Sequence, residues 1–436
     1  MRSFAAAVVL GTAAAGPLHA QSPSDTAARP ISLSEAISRA QQSSPTTVTA
    51  RGTVRTAQAQ ELVAKGAFIP SVTFSAGNVY TNGNRFDTQG NLVPYTGDPW
   101  QYSYGLSIAV DAFDGLRRIY DLRAARAAIS AADANELEQR FQVALQVKQQ
   151  YYAVLAAREE EAAADAQLAQ ALQSQTVANA KLKAGSATTS DSLREVIDVG
   201  NGRLAQLTAA NDLVTANAGL TRLVATPYLV TASADDTLDR EAPIDTASLL
   251  PLADAGPQVQ SAAATATSAQ AAAKSARSPY YPTLSLSYAR SGNGSDPDFR
   301  LTAPEYTGSN QFRLGLSWSV FSQFTREQAV AVADVAQTEA EATLRDTRFQ
   351  ARQQLVQYLG ALRLAREKVE IQRASVEAAT EDLRVQRRRY EVGASTILDV
   401  LTSQTVLNQA RQNLIQARFD YRVARAQLEA LIGREL

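Results

Sequence analysis

The amino-acid sequence predicts a mostly α-helical protein with a smaller transmembrane β portion, built from two copies of one structural unit. Three observations predict this fold class. Aromatic residues make up only 7% of the 436 residues, while alanine is abundant, and this composition suits long packed helices. The hydrophobic period changes along the chain from helical to strand-like and back again. The second half of the chain also repeats the first at a nearly fixed offset, which indicates an internal duplication.

The first twenty residues have the pattern of an export signal. Arg2 supplies a positive charge, the stretch from Phe4 to Leu10 is apolar, and Ala20 places a small residue before the expected cleavage point. A buried N-terminal helix is the alternative, but the polar segment from Gln21 to Arg29 argues against it. No later stretch holds about 18 uncharged apolar residues, so we expect an exported protein whose membrane portion consists of strands.

Composition and charge exclude several classes of function. The chain has no Cys, and its single His (His19) and single Met (Met1) both fall in the predicted signal. The mature chain therefore offers no thiol nucleophile, no Cys/His zinc site and no histidine general base. A nucleic-acid-binding protein would be basic, whereas here 43 Asp and Glu balance 42 Lys and Arg. The acidic residues are scattered along solvated helix faces, so we predict no enzyme and no cofactor.

The two copies of the unit align at an offset of about 210 residues. Pro45 and Pro257 are 212 residues apart. After the strands of each unit the offset settles at 208 residues, in the pairs Phe113 and Phe321, Gly185 and Gly393, and Asp212 and Asp420. An offset held over about 100 residues indicates duplication. We therefore divide the chain into a signal peptide (1–20), a first repeat (21–225), a linker (226–245) and a second repeat (246–436).

Each unit begins with a helical pattern and then changes to a period of two. Residues 31–66 are helix-like, with Ala36, Ile37 and Ala40 on one face, and Pro70 ends that pattern. Apolar side chains then alternate with Ser, Gly and Thr in four segments, at about 70–80, 102–112, 282–290 and 311–321. Four strands of about ten residues, each with one apolar and one polar face, are typical of transmembrane β-structure.

A soluble sheet with one buried face would show the same alternation. The export signal, the polar opposite faces and the long polar connections favour the membrane interpretation. It predicts that even-numbered strand residues face lipid, including Leu106, Ile108, Leu316 and Trp318. Four strands cannot close a barrel, and an open edge in lipid leaves backbone groups unpaired at a cost of several kcal/mol each. We therefore expect several chains to assemble around one barrel.

A long helical hairpin follows each pair of strands. Asp114 and Ser322 are placed to cap the first helix of each hairpin. These helices run to about Lys183 and Glu391, which is about 70 residues or about 105 Å each. Gly residues then mark the turns.

The return helices run from about Asp191 to Ala225 and from about Asp399 to Ile432. In the second of them, apolar residues recur every seven positions at Val400, Leu407, Leu414, Tyr421 and Leu428. Small residues occupy the interleaved positions, at Ala410, Ala417 and Ala424. This is coiled-coil patterning with close packing. Helices of such length need neighbours for stability, so we expect each hairpin to pack against others.

This order of elements resembles the TolC-type outer membrane efflux protein family. The most specific marks are the two hairpin tips, at residues 184–191 and 392–399, together with the Pro-led strands and the sequence Phe113-Asp114-Gly115. The resemblance covers essentially the whole expected mature chain. Because the family forms trimers, it implies a homotrimer with a 12-strand β-barrel and a 12-helix α-barrel.

The implied function is passive export across the outer membrane. Substrate would be delivered at the periplasmic tip by an adaptor protein and an inner-membrane pump of the RND or ABC type, and would leave through a barrel surrounded by outer membrane lipid. The exported substrate stays open between drugs, metals and proteins, although the lack of His, Met and Cys disfavours a soft-metal route. A trimeric exported coiled-coil adhesion protein is the alternative, but it requires neither duplicated strand pairs nor the tip motif.

The resemblance also assigns roles to residues at the tips. Contact with the adaptor is implied for Gly185, Ser186, Gly393 and Ala394. The triplet Arg387-Arg388-Arg389 before the second tip could form a solvated face, pair with nearby acids, or contact the adaptor.

A gate and a selectivity ring are implied at the same end. Gate positions match Tyr390, Asp191, Ser190 and Ser395, where the family's better-known gate has an Arg in place of Ser395. Asp399 matches a lumen-facing aspartate ring, while a second ring position holds Thr402. A capping role for Asp191 and Asp399 at the start of the return helices is the alternative, and the two roles can coexist.

Overall fold

The computed structural model describes residues 28–94, 97–185, 187–233, 249–300 and 305–436. The predicted signal peptide lies outside the described residues, as do Ser186 and most of the predicted linker.

The first repeat begins with short helices, continues through a strand pair and ends in a long hairpin. A short strand and two helices come first, β1 (Arg29–Ile31), α1 (Leu33–Ser43) and α2 (Pro45–Gly66). The strands that follow are β2 (Ser71–Tyr80), β3 (Asn84–Phe86), β4 (Leu92–Pro94) and β5 (Trp100–Phe113). The long hairpin and the strand after it are α3 (Arg117–Lys183), α4 (Thr189–Val224) and β6 (Val230–Ala232).

The second repeat follows the same plan. Its elements are α5 (Leu249–Asp254), α6 (Pro257–Ala276), β7 (Thr283–Asp296), β8 (Thr307–Ser317), α7 (Thr325–Glu391) and α8 (Ile397–Ile432). The helices α3 and α7 both have 67 residues, and α4 and α8 both have 36. Both helices of the second hairpin therefore keep the 208-residue offset seen in the sequence, since the ends of α7 and α8 match those of α3 and α4.

The predicted helical segment 31–66 is two helices rather than one. Ser32 caps α1 by accepting a hydrogen bond from the Glu35 N–H at 3.3 Å, and α1 ends at Ser43. Pro45 opens α2, and the residue before it, Ser44, is extended at φ −61° and ψ 128°. A residue that precedes proline is kept out of the α region by a clash with the proline ring, so the helix breaks there. Ala36 and Ala40 are buried as their spacing predicts.

Four long strands form one antiparallel sheet in the order β2-β5-β7-β8. The register places Leu106 of β5 between Phe74 and Arg290, and Leu286 of β7 beside Leu314. The sheet therefore joins the two repeats through β5 and β7, while β2 and β8 are its outer strands.

The last strand is shifted from its predicted position. The sequence predicts a strand at about 311–321, whereas β8 runs from Thr307 to Ser317. Trp318 is therefore not a strand residue. Its indole N–H donates a hydrogen bond to the Tyr280 carbonyl at 3.2 Å, and the chain turns there toward α7. This turn ends the period-two geometry although the apolar alternation continues in the sequence.

The helices pack as two hairpins, each with its own buried cluster. One buried cluster combines β1, α1 and β6 with the middle of α3 and the end of α4, and includes Val147, Tyr151 and Leu220. A second combines α5, α7 and α8, and includes Leu355, Tyr421 and Leu428. A smaller cluster lies nearer the tip between α7 and α8. The predicted seven-residue series from Val400 to Leu428 is buried throughout.

A buried tyrosine ties the short strands to the long helices. Strands β1 and β6 pair in parallel, with Ile31 opposite Ala232. The Tyr151 hydroxyl donates to the Ile31 carbonyl and accepts from the Ser233 N–H, both at 3.1 Å. Arg158 adds hydrogen bonds to the carbonyls of Ala232 and Ser233. These contacts hold the chain before α1 and the chain after α4 against the middle of α3. Within the described residues, no helix is apolar over a length sufficient to cross a membrane.

Candidate functional site

Both hairpin tips are built on the same capping motif. The Thr188 side chain accepts a hydrogen bond from the Asp191 N–H, and Asp191 Oδ2 accepts one from the Thr188 N–H at 3.0 Å. Thr396 and Asp399 repeat this reciprocal pair at the start of α8, where the Thr396 N–H to Asp399 Oδ2 distance is 2.8 Å. Each pair satisfies backbone donors that the first helical turn leaves unpaired.

The capping bonds also set the charge of the two aspartates. The Thr188 backbone N–H, followed by the Thr188 hydroxyl, lowers the pKa of Asp191. The Thr396 backbone N–H, its hydroxyl and the charge of Arg389 lower the pKa of Asp399. Both carboxyl groups are therefore ionised at neutral pH. Asp191 and Asp399 therefore both cap their helices, which is the alternative role expected from the sequence. Both also carry the negative charge that a lumen-facing ring requires.

The two tip glycines have left-handed backbone conformations. Gly185 has φ +73° and Gly393 has φ +77°. A Cβ atom built on either residue meets no atom within 4 Å, so the constraint is the backbone conformation and not crowding. Residues with a Cβ resist this region, and β-branched residues resist it most.

Tyr390 lies between the hairpins, where it contacts a lysine that the sequence analysis does not single out. The Lys181 ammonium lies over the Tyr390 ring, 4.0 Å from its centroid. Burial, followed by the negative charges of Asp191 and Glu195, raises the pKa of Tyr390. Tyr390 and Asp191 are therefore near each other, but the described residues contain no hydrogen bond between them. Lys181 is the counterpart of Arg389 at the 208-residue offset, which is the sequence signal that could have identified it.

The other predicted gate and ring residues make local contacts. The Ser395 hydroxyl donates to the Gln386 carbonyl at 3.2 Å, and the Thr402 hydroxyl donates to the Leu398 carbonyl at 2.8 Å. Arg389 donates to the Ala394 carbonyl at 3.4 Å. Burial lowers the pKa of Arg387, which lines a cleft between the hairpins. Within the arginine triplet, Arg387 is therefore partly buried in the cleft, whereas Arg389 contacts the second tip.

The register gathers the apolar strand residues on one face of the sheet. Ile108 lies between Val72 and Tyr288, so three strands contribute to one level of this face. The even-numbered positions are polar in the outer half of β7 and β8, where Arg290 pairs with Asn310. The apolar region therefore crosses the sheet obliquely, as expected when strands are tilted relative to the membrane.

The turn from strand to long helix is also duplicated. Asp114 Oδ2 accepts from the Arg118 N–H at 3.1 Å, and Ser322 Oγ accepts from the Arg326 N–H at 3.4 Å. The residues at the helix boundary itself are Leu116 and Phe324, both with left-handed backbones. Asp114 and Ser322 thus bond the first helical turn, as predicted, but from two positions before the N-cap residue.

Comparison with known protein families decides the identity of this architecture. The family model described as outer membrane efflux protein matches residues 36–226 and 252–434. The chain belongs to the outer membrane efflux protein family. It is accordingly an outer membrane efflux channel protein with a periplasmic helical portion, and it is not an enzyme. The family resemblance predicted from the hairpin tips and strand order is confirmed.

Solved structures of this family have the same fold. The chain is similar to CusC with a TM-score of 0.81 at 18% identity, covering 92% of each chain. It is similar to VceC from Vibrio cholerae with a TM-score of 0.75 at 18% identity, covering 92% of this chain and 96% of that one. For the open state of MtrE from Neisseria gonorrhoeae the TM-score is 0.77 at 18% identity, covering 92% and 89%.

A curated family relative matches over a shorter region. The chain is 35% identical over 103 residues to the alkaline protease secretion protein AprF of Pseudomonas aeruginosa. This match covers 22% of the chain and spans about a fifth of AprF, 21% of its length.

Proposed function

We propose that three copies of this chain form a continuous conduit, with a 12-strand barrel in the outer membrane and a 12-helix tunnel in the periplasm. The observation that carries this proposal is the four-stranded sheet whose outer strands, β2 and β8, have no partner within the described part of the protomer. Unpaired backbone groups in lipid cost several kcal/mol each. Pairing β2 of one copy with β8 of the next removes both edges, and three copies supply twelve strands.

In this proposal the chain provides a path and a gate, while a separate pump supplies energy. The tips around Gly185 and Gly393 contact a periplasmic adaptor that links the tunnel to an RND or ABC pump. Gly185 and Gly393 protrude at the turns, where a built Cβ meets no other atom, so these backbones are available to a partner. The neighbouring Ala394 is exposed as well.

The gate combines contacts between the two hairpins of each protomer. Tyr390 of α7 lies close enough to Asp191 of α4 for that carboxylate to raise its pKa, and it stacks under Lys181 of α3. Ser395 supplies no charge at the second tip. Replacing Tyr390 by Phe and Asp191 by Ala together should raise the closed-state conductance of the reconstituted channel. An unchanged conductance in a correctly folded double variant would remove these residues from the gate.

Protein export is one substrate class that a relative favours, because the partial match is to a protein named for protease secretion. Small-molecule export is the other class. The composition supports neither metal handling nor chemistry on the substrate, since the chain has no Cys and only one His and one Met. Within the described residues there is also no cluster of three or more potential metal ligands.

Two experiments test this function. Purified protein in planar bilayers should give discrete single-channel conductance, which a purely structural protein does not produce. Deletion of the gene, followed by drug-sensitivity profiling and analysis of secreted proteins, then separates the substrate classes. Export defects limited to secreted proteins would assign the chain to a secretion system. Increased drug sensitivity would assign it to drug efflux.

A further inference from the structure

One glutamate is buried near the hairpin tips with a carboxylate oxygen that has no hydrogen bond. Glu195 of α4 is only 1% exposed, and its Oε2 atom accepts no hydrogen bond. Three residues later, Asp198 also has a buried carboxylate oxygen, Oδ2, without a hydrogen-bond donor. Buried polar atoms are nearly always paired, so two orphaned carboxylate oxygens on one helix face require a physical explanation.

Glu195 occupies the seam where the two hairpins of one protomer meet. It lines a cleft of about 200 Å³ together with Ser174 and Lys181 of α3, Tyr390 of α7 and Val400 of α8. Its burial arises within a single protomer, because it is present before any neighbouring copy is added. A separation of the hairpins would widen this cleft beside the Glu195 side chain.

The internal duplication shows what a satisfied version of this position looks like. At the 208-residue offset Glu195 corresponds to Ser403, and Ser174 corresponds to Asp382. In the second hairpin the Ser403 hydroxyl donates to Asp382 Oδ2 at 2.5 Å. In the first hairpin the acid and the serine are exchanged between the helices, and Glu195 Oε2 is left without a bond. The two hairpins thus differ at this position, where the acid is hydrogen-bonded to a serine in the second hairpin but Glu195 Oε2 is not in the first.

The surroundings of Glu195 favour its neutral form. Burial, followed by the charge of Asp198, raises the pKa of Glu195 from the ordinary 4.5 to about 7. Burial also raises the pKa of Asp198.

The charged and titratable groups that face this seam come from several helices. They are Lys181 on α3, Asp191, Arg194 and Asp198 on α4, and Arg387, Tyr390 and Glu391 on α7, while α8 contributes the apolar Ile397 and Val400. Of these carboxyl groups, Asp191 has a lowered pKa and stays ionised through the neutral range. Glu195, with its pKa raised to about 7, therefore changes charge as the pH approaches neutrality.

We propose that Glu195 is a positioning residue of the tip, which holds the two hairpins together when it is neutral and parts them when it ionises. A buried carboxylate without donors is costly, and opening the seam lets water solvate it. The closed seam is favoured most below pH 4.5, the ordinary value for an exposed glutamate. It loses this advantage progressively up to about pH 7, where Glu195 becomes ionised even in the closed seam.

The inference rests on the proposed gated channel, but it can be tested by a distance measurement that does not depend on transport. The chain has no Cys, so Ala184→Cys and Ala394→Cys place one spin label on each tip and nowhere else. Labelled full-length chains are diluted with unlabelled ones, and distances within one protomer are measured by double electron–electron resonance from about pH 4 to about pH 8.

With Glu195 present, the distance between the tips should increase between pH 4.5 and about 7. Glu195→Gln, which has nearly the same shape and no charge, should keep the acid-pH distance at every pH. Asp198→Asn removes the repulsive neighbour, so the upper end of the transition should shift to lower pH. Glu381→Gln is the matched control on the exposed surface, where Glu381 pairs with Arg384, and it should retain the full response.

A tip distance that does not change with pH would overturn the proposal. The same holds if Glu195→Gln retains the wild-type response, because the proton would then act elsewhere. Single-channel recording of the same variants is a separate measurement. Absence of any conductance would count against the proposed channel, whereas conductance with pH-independent tip distances would count against the role of Glu195 alone.

Discussion

At the residue scale, the tip aspartates combine helix capping with a negative charge. Asp191 and Asp399 each close a capping box, and the bonds that make them good caps also keep them ionised. Capping is a property of the isolated helix, whereas a charged ring requires three copies around an axis. Removing a carboxylate therefore changes two properties at once, and a second variant is needed to separate them.

Asp399→Asn should lower the cation selectivity of the reconstituted channel, because three negative charges around the lumen are lost. The measurement is the reversal potential under a salt gradient. Thr396→Ala is the matched control, since it removes the Thr396 hydroxyl that bonds the Asp399 N–H and carboxylate but keeps the negative charge. Equal selectivity in both variants and in the native protein would leave Asp399 with the capping role only.

Gly393→Val should abolish export while the protein still reaches the outer membrane, because φ +77° is strained for a β-branched residue. Export is measured with the substrate class identified by deletion, and membrane content by fractionation. Gly393→Asn is the control, since Asn tolerates the left-handed region better than other residues with a Cβ. Normal export by the valine variant would exclude a docking role for this turn.

At the element scale, the alternation of apolar and polar residues and the register of the sheet decide which face each strand residue lies on. Ile108 lies in the apolar region, opposite Val72 and Tyr288, while the preceding Ser107 lies on the other face between Thr73 and Ala289. Neighbouring residues of one strand therefore meet different surroundings, which offers a direct comparison of the two faces.

Ile108→Arg should block membrane assembly, because an arginine on the lipid face near mid-depth costs about 2–4 kcal/mol. Ser107→Arg should assemble normally, since its side chain projects to the polar face among small neighbours. Heat-modifiable migration on gels reports assembly of the sheet. Similar behaviour of the two variants would show that the faces are assigned wrongly.

At the scale of the whole molecule, the protomer holds its two repeats together through the centre of the sheet and through α3. The strands β5 and β7 pair across the repeats, and Lys148 of α3 bonds Glu429 of α8 at 2.5 Å with both side chains nearly buried. The outer strands and much of the helix surface lie free on a single copy, including Leu193, Leu204, Ile371 and Leu364. Exposed apolar surface of this extent indicates assembly.

The detergent-extracted protein should therefore have the native mass of three copies, as measured by native mass spectrometry. Closure of the proposed barrel should depend on the edge strands β2 and β8. Proline in the middle of β2, as in Thr73→Pro, removes a backbone donor from a strand that pairs on both sides in the proposed trimer, and it should reduce the trimer fraction. A stable monomer of the native chain would contradict the proposed assembly.

Much of this protein follows from local sequence. The 208-residue offset, the turn glycines, the Thr and Asp capping pairs and the seven-residue series in α8 are all patterns that short-range physics imposes, so the duplicated hairpins and their tips were predictable. The end of β8 was not, because alternation continues through Trp318 while a hydrogen bond to the distant Tyr280 turns the chain away.

Only the tertiary structure decided which side chains meet between the hairpins. Glu195 lies at a seven-residue spacing from Gly202 and Ala209, and all three are buried, but the sequence alone does not distinguish a seam position from an exposed one. The contact of Lys181 with Tyr390 depends on how α3 and α7 approach each other, more than 200 residues apart in the chain. The missing hydrogen bond of Glu195 Oε2 depends likewise on how neighbouring helices pack around α4. Sequence patterns fix periodicity within an element, whereas pairing between elements is set by long-range packing.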